Sequence, residues 1–337
     1  MPYFEAFTSA KNPHAPETSE DQLVVVPGVA YAVIDGATDI SGKRWNDGLG
    51  RGATGGRLAA TAIAQALRDF AAAPFVELPT PEQVFASLTA AVAALYQRLG
   101  ILEDARQHSD VRFRATLAVA LVAGNRLRLL RAGDSGFRVN GEVQLEPDFP
   151  AETALVTVRS QAWHLLAGRG VPVEERRQKA RQLIVEGLDE GGPAIGLSAA
   201  EIATVTNESV THPRVIAAFK GDAEAALSIM RQGLKGQRKA PGEHTASVID
   251  GIGDPSKVAA VKDFDLEAIE TLEIFSDGYP ALPGEASIAA WEAALAHADS
   301  TDPERVGEFP ATKGKVGDHF GDDRSIIIVK REPGPKA

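Results

Sequence analysis

Short apolar runs punctuate the chain: QLVVV at 22–26, VAYAVI at 29–34, ATLAVALV at 115–122, RLRLLR at 126–131, RVIAAF at 214–219, TLEIF at 271–275 and SIIIV at 325–329. Their brevity, their β-branched content and the turn formers around them predict strands. Pro27-Gly28 separates the first two and Gly124-Asn125 the third and fourth, which is hairpin spacing and therefore predicts antiparallel pairing rather than a parallel dinucleotide-binding sheet. Helical periodicity is equally plain. Thr80-Pro81-Glu82-Gln83 has the form of a capping box, after which Val84, Leu88, Val92, Leu95 and Leu99 recur at helical spacing until Gly100. Further helices are predicted over 57–73, 174–188, 222–234 and 285–297, the last with Trp291 and Leu295 on one face. Antiparallel strands with amphipathic helices make an α+β layered protein.

Residues 1–18, with Pro2, Pro13 and Pro16, read as an extended lead-in, and 332–337 as a fraying tail. No linker, fixed-period repeat or step in composition divides the stretch between them. The expectation is a single domain over 19–331 with an insertion or flap around 140–213.

Composition narrows the function. The 337 residues hold 35 Lys+Arg against 46 Asp+Glu, for a net charge of −11, with 44% hydrophobic residues. Such a chain buries a core of its own, and its negative balance argues against nucleic acid and anionic membrane surfaces as partners while favouring divalent cations. Cysteine is absent, which removes disulfides, thiolate metal sites and thiol nucleophiles. The N-terminal stretch lacks the pattern of a secretory signal, and no run is long enough to cross a bilayer, so a cytoplasmic location is expected.

The acids are placed in a pattern. Asp35 follows VAYAVI, Asp134 follows RLRLLRAG and Asp277 follows TLEIFS, whereas Glu20-Asp21 precede LVVV and Asp322-Asp323 precede SIIIV. Any one of these is ordinary turn chemistry. Their recurrence at strand ends is what points to a site, because antiparallel pairing brings the exit of one strand beside the entry of the next. With Pro27 and Gly28 as a two-residue loop, Val26 faces Val29, Val24 faces Tyr31, and Glu20 comes opposite Asp35 with Asp21 beside them. Clustered carboxylates raise one another's pKa unless a cation intervenes, and an all-oxygen set suits Mg²⁺ or Mn²⁺. Gly36 and Gly278, each directly after an acid, are expected to allow sharp turns there.

SED at 19–21, VIDGA at 33–37, RATLAVALVAGNRLRLLRAGDSGFRV at 114–139, IFSDG at 274–278 and GDDRSIIIV at 321–329 resemble, in order, the motifs of the protein phosphatase 2C family. The resemblance runs over about 19–330. It implies a four-layer α-β-β-α sandwich of two antiparallel sheets flanked by helices, with two Mn²⁺ or Mg²⁺ ions, and a third in some members, at one edge. Asp35 would bridge both ions, Gly36 would offer its carbonyl, Asp277 and Asp322 would hold the second ion, Glu20 and Asp21 would act through water, and Asp134 would lie near the cluster. Asp35, Asp277 and Asp322 are thus the candidate catalytic set. The implied reaction is hydrolysis of phosphoserine or phosphothreonine in protein substrates by a hydroxide held between the two ions, with no covalent enzyme intermediate. Two alternatives accompany it: a catalytically silent metal-binding module of the same fold, and a hydrolase of small phosphate esters.

This sequence departs from the family where phosphate is anchored. Members carry an arginine shortly before the first acidic pair, but here the first arginine is Arg44 and the only earlier strong base is Lys11. Arg44, Arg51 and Arg57 are the candidate replacements for phosphate binding. Ala37 stands where a general acid sits in many members, with His319 as a candidate substitute, and Asp323 replaces a common asparagine. GLGRGATGGR at 48–57 lacks the lysine and spacing of a phosphate loop and reads as a loop leading into a helix. EERRQKARQ at 174–182 reads as a solvated helical face, and His164 as structural.

Overall fold

Pairing of the predicted hairpins builds two sheets. The computed structural model describes residues 3–37, 42–46, 52–145, 149–239 and 247–331. In chain order its N-terminal half contains β1 (Tyr3–Ser9), β2 (Gln22–Val26), β3 (Ala30–Gly36), a small ribbon of β4 (Trp45–Asn46) and β5 (Gly52–Ala53), α1 (Gly55–Phe70), α2 (Pro81–Leu99), α3 (Leu102–Gln107), β6 (Ala115–Ala123), β7 (Arg126–Ala132), β8 (Gly136–Val139) and β9 (Glu142–Gln144). There follow α4 (Pro150–Gly168), α5 (Val173–Ala194), α6 (Ala199–Val210), α7 (Pro213–Ala218), α8 (Ala223–Lys239), β10 (Ala260–Asp265), β11 (Thr271–Phe275), α9 (Ile288–Thr301) and β12 (Arg324–Lys330).

One five-stranded sheet runs β10-β7-β6-β3-β2 and the other β1-β12-β11-β8-β9, with every pairing antiparallel. Their facing sides interlock through Tyr31, Val33, Ala118 and Leu129 against Phe137, Leu272, Ile274 and Ile327. On the outside, Ile63 and Leu67 of α1 with Leu88 of α2 cover Ile34, Leu117 and Leu121. Trp291 and Leu295 of α9 cover Phe275, Ile326 and Ile328 on the other flank. The architecture is the four-layer α-β-β-α sandwich. β6 is nearly all apolar because helices bury one of its faces and the second sheet buries the other.

Helix α2 starts on the capping box, with Thr80 accepting from Gln83 N–H and Gln83 accepting from Thr80 N–H, and it stops at left-handed Gly100. The apolar run at 214–219, predicted as a strand, is instead the short helix α7. Pro213 occupies its first turn, and Val215 and Phe219, four residues apart, both enter a helical core. The first hairpin closes through three residues rather than two. Val26 pairs with Ala30 and Val24 with Ala32, with Gly28 left-handed at φ +76. That slip of one position moves every subsequent partner, so Asp21, rather than Glu20, comes opposite Asp35.

The segment read as a lead-in supplies β1, which pairs along β12 from Tyr3↔Lys330 to Ser9↔Arg324. β10, too polar to be recognised from its sequence, is an edge strand in which Asp263 faces Arg128 across the ladder. Between β9 and β10 lies a helical body, α4 to α8, reaching past the expected 140–213 segment to Lys239. It has a core of its own built from Val158, Leu166, Leu183, Leu188, Val205 and Met230.

Candidate metal centre

Three turns deliver carboxylates to the same end of the sandwich. Asp35 lies at the end of β3, where it pairs with Thr116 of β6. Asp134 follows β7 at left-handed Gly133 (φ +100), where a Cβ would come within 2.3 Å of Thr116 Cβ, so only glycine lets the loop pass. Asp277 leaves β11 behind Ser276. The Ser276 hydroxyl accepts from Ser325 N–H (2.9 Å) and donates to Asp21 Oδ2 (2.9 Å), tying the second sheet to the first at the site. One carboxylate oxygen from each of Asp35, Asp134 and Asp277 lies within 4.8 Å of the other two.

Gly36 and Gly278 act differently from the sequence expectation, since neither has left-handed backbone. Both permit close approach. A Cβ on Gly36 would lie 2.6 Å from Gly56 C, where α1 begins, and one on Gly278 would lie 2.0 Å from the carbonyl oxygen of Asp323.

The electrostatics of this group are dominated by negative charge, which Arg131 offsets only in part at Asp134. Burial first, then the charges of Asp21, Asp277 and Asp134, holds the Asp35 carboxyl well above the ordinary carboxylate range. Asp277 is raised well above that range too, by burial and by Asp134, Asp322 and Glu152, and Asp134 is raised by burial and by Asp322. Asp21, only 3% exposed, is pushed up to about 7 by burial and by Asp323. Among the described residues its Oδ1 has no hydrogen-bond partner, and neither has Oδ1 of Asp134. Oxygen-only ligands, orphaned buried carboxylate oxygens and unbalanced charge together fit a hard divalent cation.

A second group of acids lies beside the first in a different state. Lys11 Nζ donates to Glu20 Oε2 (2.8 Å) and Asp323 Oδ2 (3.3 Å) and stands 3.8 Å from Asp322 Oδ1. Lys313 Nζ donates to Asp322 Oδ2 at 3.1 Å. Burial opposes the charge of Asp322, but Lys313 and Lys11 outweigh it and hold the group below its ordinary value. Burial likewise opposes the Lys11 ammonium, yet Asp322, Glu20 and Asp323 raise its pKa. Asp323 accepts from the backbone N–H groups of Lys11 (2.6 Å) and Glu20 (2.9 Å), and Glu20 also accepts from the Thr54 hydroxyl that caps α1.

Of the predicted phosphate-binding arginines, Arg44 is exposed beside the small ribbon, Arg57 sits in the first turn of α1 with its N–H used by the Thr54 cap, and Arg51 lies outside the described residues. His319 is exposed, with its imidazole 3.9 Å from Asp318. Sequence reasoning missed Glu152, in the first turn of α4. Burial and the charges of Asp134 and Asp322 push this carboxyl up to about 8. No local motif marks it, because it arrives from the helical body. Lys11 and Lys313 were missed as site groups too, although Lys11 was conspicuous as the only strong base before Glu20.

No family model matches the chain, and no curated protein matches it. Among solved structures, it is similar to the serine/threonine phosphatase PstP/Ppp of Mycobacterium tuberculosis, at 14% identity and TM-score 0.46 over 98% of this chain and 99% of that one. It is also similar to the serine/threonine phosphatase Stp1 of Staphylococcus aureus, at 12% identity and TM-score 0.48 over 99% and 96%. A third is the catalytic domain of PstP in complex with two manganese ions, at 14% identity and TM-score 0.43 over 98% and 97%.

Proposed function

We propose that the chain is a metal-dependent phosphatase that hydrolyses phosphoserine or phosphothreonine in proteins. The observation that carries this reading is the convergence of one carboxylate oxygen each from Asp35, Asp134 and Asp277 to within 4.8 Å of one another, with a buried Asp21 oxygen that has no partner among the described residues. Asp35, Asp134 and Asp277 would hold the ion, and the motif resemblance adds the Gly36 carbonyl; the Glu20 and Asp322 carboxylates that it also names face Lys11 and Lys313 instead. When bound, a divalent ion there supplies Lewis-acid activation of water and screening of phosphoryl charge. The chain itself contributes position. The Ser276–Asp21 hydrogen bond fixes Asp21 from the opposite sheet.

The decisive experiment is hydrolysis of an aryl phosphate by the full chain. Activity that requires Mn²⁺ or Mg²⁺, stops with chelator and is lost in Asp35→Asn supports the reading; activity indifferent to chelator overturns it. Phosphopeptides set against a panel of phosphorylated metabolites then separate protein from small-molecule substrates. A second reading, a silent metal-binding module, is favoured by the two lysines that engage Asp322; ion binding without turnover on any ester would establish it.

A further inference from the structure

We infer that the Lys11 ammonium occupies the place of a second cation, so that the site loads one divalent ion rather than the two implied by the motif resemblance. The inference rests on the metal-centre reading above and concerns how many ions the centre takes.

Lys11 Nζ is surrounded by three carboxylates, at 2.8 Å from Glu20, 3.3 Å from Asp323 and 3.8 Å from Asp322. Three converging carboxylates are the donor set a hard divalent ion would take. Two of them are almost fully buried, with side-chain exposures of 6% for Glu20 and 2% for Asp323, and a buried carboxylate requires a counter-charge. Here the counter-charge is covalently part of the chain. Lys11 is held in place through its backbone as well, because its N–H donates to Asp323 Oδ1 at 2.6 Å and its carbonyl accepts from Phe320 N–H at 2.8 Å. Asp322, which the resemblance makes a metal ligand, has one oxygen 3.8 Å from Lys11 and the other 3.1 Å from Lys313. Recruiting it to an ion would bring that ion's double charge close to two ammonium groups, a repulsion that few ligand oxygens can offset. At the neighbouring trio of Asp35, Asp134 and Asp277 the cationic influence is weaker: Arg131 acts on Asp134, yet burial and the other carboxylates still raise all three. Its carboxylates gather within 4.8 Å, and Asp134 Oδ1 and the neighbouring Asp21 Oδ1 are buried without a partner among the described residues.

The test is to count ions. Mn²⁺ alone is titrated into metal-free full-length chain at neutral pH by calorimetry, and bound metal is measured after desalting. Wild type is expected to bind one ion. Lys11→Met leaves Glu20, Asp322 and Asp323 without that ammonium and is expected to bind two, the second tightened by about tenfold or more over any residual second binding in wild type. Lys11→Arg, which keeps the charge, and Lys313→Met, which leaves Lys11 in place, are expected to stay at one. If Lys11→Met is unfolded without metal, refolding it in Mn²⁺ and counting the retained ions answers the same question. Two ions of comparable affinity in wild type, or a folded Lys11→Met that still binds one, overturns the inference. A wild type that binds no Mn²⁺ overturns the metal-centre reading and this inference together. One bound ion with no hydrolysis of any phosphate ester leaves the inference standing and removes the phosphatase.

Discussion

Two sets of carboxylates share one end of the sandwich and respond to it in opposite ways. Asp35, Asp134 and Asp277 are all raised, while Asp322, flanked by Lys11 and Lys313, is lowered. Burial pushes all four in the same direction, so depth does not account for the contrast. What differs is the ammonium groups within reach. A strand-end aspartate is therefore a ligand waiting for a cation in one set and half of an internal ion pair in the other.

The widest separation between the two sets is expected in Asp35→Asn. Removing the carboxylate at the centre of the raised trio should lower Mn²⁺-dependent hydrolysis of an aryl phosphate by about a thousandfold. It should also raise the melting temperature of the metal-free chain, because a repulsion is removed. An Asp35→Asn that keeps its activity and loses stability would mean that the trio is an ordinary structural cluster.

The pH dependence sharpens the comparison next. Asp21 at about 7 and Glu152 at about 8 lie above their unfolded values, so the native chain binds more protons than the unfolded one between roughly pH 4 and 8. The contribution of these two groups to the stability of the metal-free protein is therefore expected to fall as pH rises through that window. For Asp21 alone the loss is on the order of 4 kcal/mol. Denaturant melts at pH 5 and pH 8 would read it directly, and saturating Mn²⁺ should flatten the slope. A metal-free protein more stable at pH 8 than at pH 5 would contradict the assignment of unbalanced charge.

A smaller effect is expected on the paired side. Lys11→Met strands Glu20 and Asp323, but Lys11 keeps 31% of its side-chain surface in solvent, so the loss in the metal-free chain should be about 2 kcal/mol, below that of a fully buried pair. Mn²⁺ should restore more of that stability in the variant than it adds to wild type. Back on the raised side, Glu152→Gln removes one repelling carboxylate brought by α4 and should raise the metal-free melting temperature by a few degrees at pH 8 and much less at pH 5. Equal shifts at the two pH values would detach Glu152 from the acid set.

Much of this arrangement was written locally in the chain. The apolar runs of β3, β6, β7, β11 and β12 and the capping box of α2 are short-range signals, and the acids that follow or precede those strands stand where the turns begin. Less visible were elements whose burial is decided at a distance. β10 carries Lys262 and Asp263 because it is an edge, and β1 is polar enough to pass for a lead-in until β12 pairs with it. The run at 214–219 has the composition of a strand, yet it turns helical because Pro213 starts it and the insert's core takes Val215 and Phe219.

By itself the amino-acid order determined the strands of the two central hairpins, β11, β12 and the long amphipathic helices, that hairpins join neighbouring strands, and that acids cap the strand ends, since periodicity and turn chemistry act over a few residues. Only the tertiary structure decided the grouping of those acids. A one-residue change in a hairpin put Asp21 in the place expected for Glu20, and a hydrogen bond from Ser276 to Asp21 joins residues 255 positions apart. Lys11 meets Asp323 across 312 positions. Which carboxylate faces an ammonium and which faces its own kind depends on how two sheets stack, and no local pattern encodes that distance.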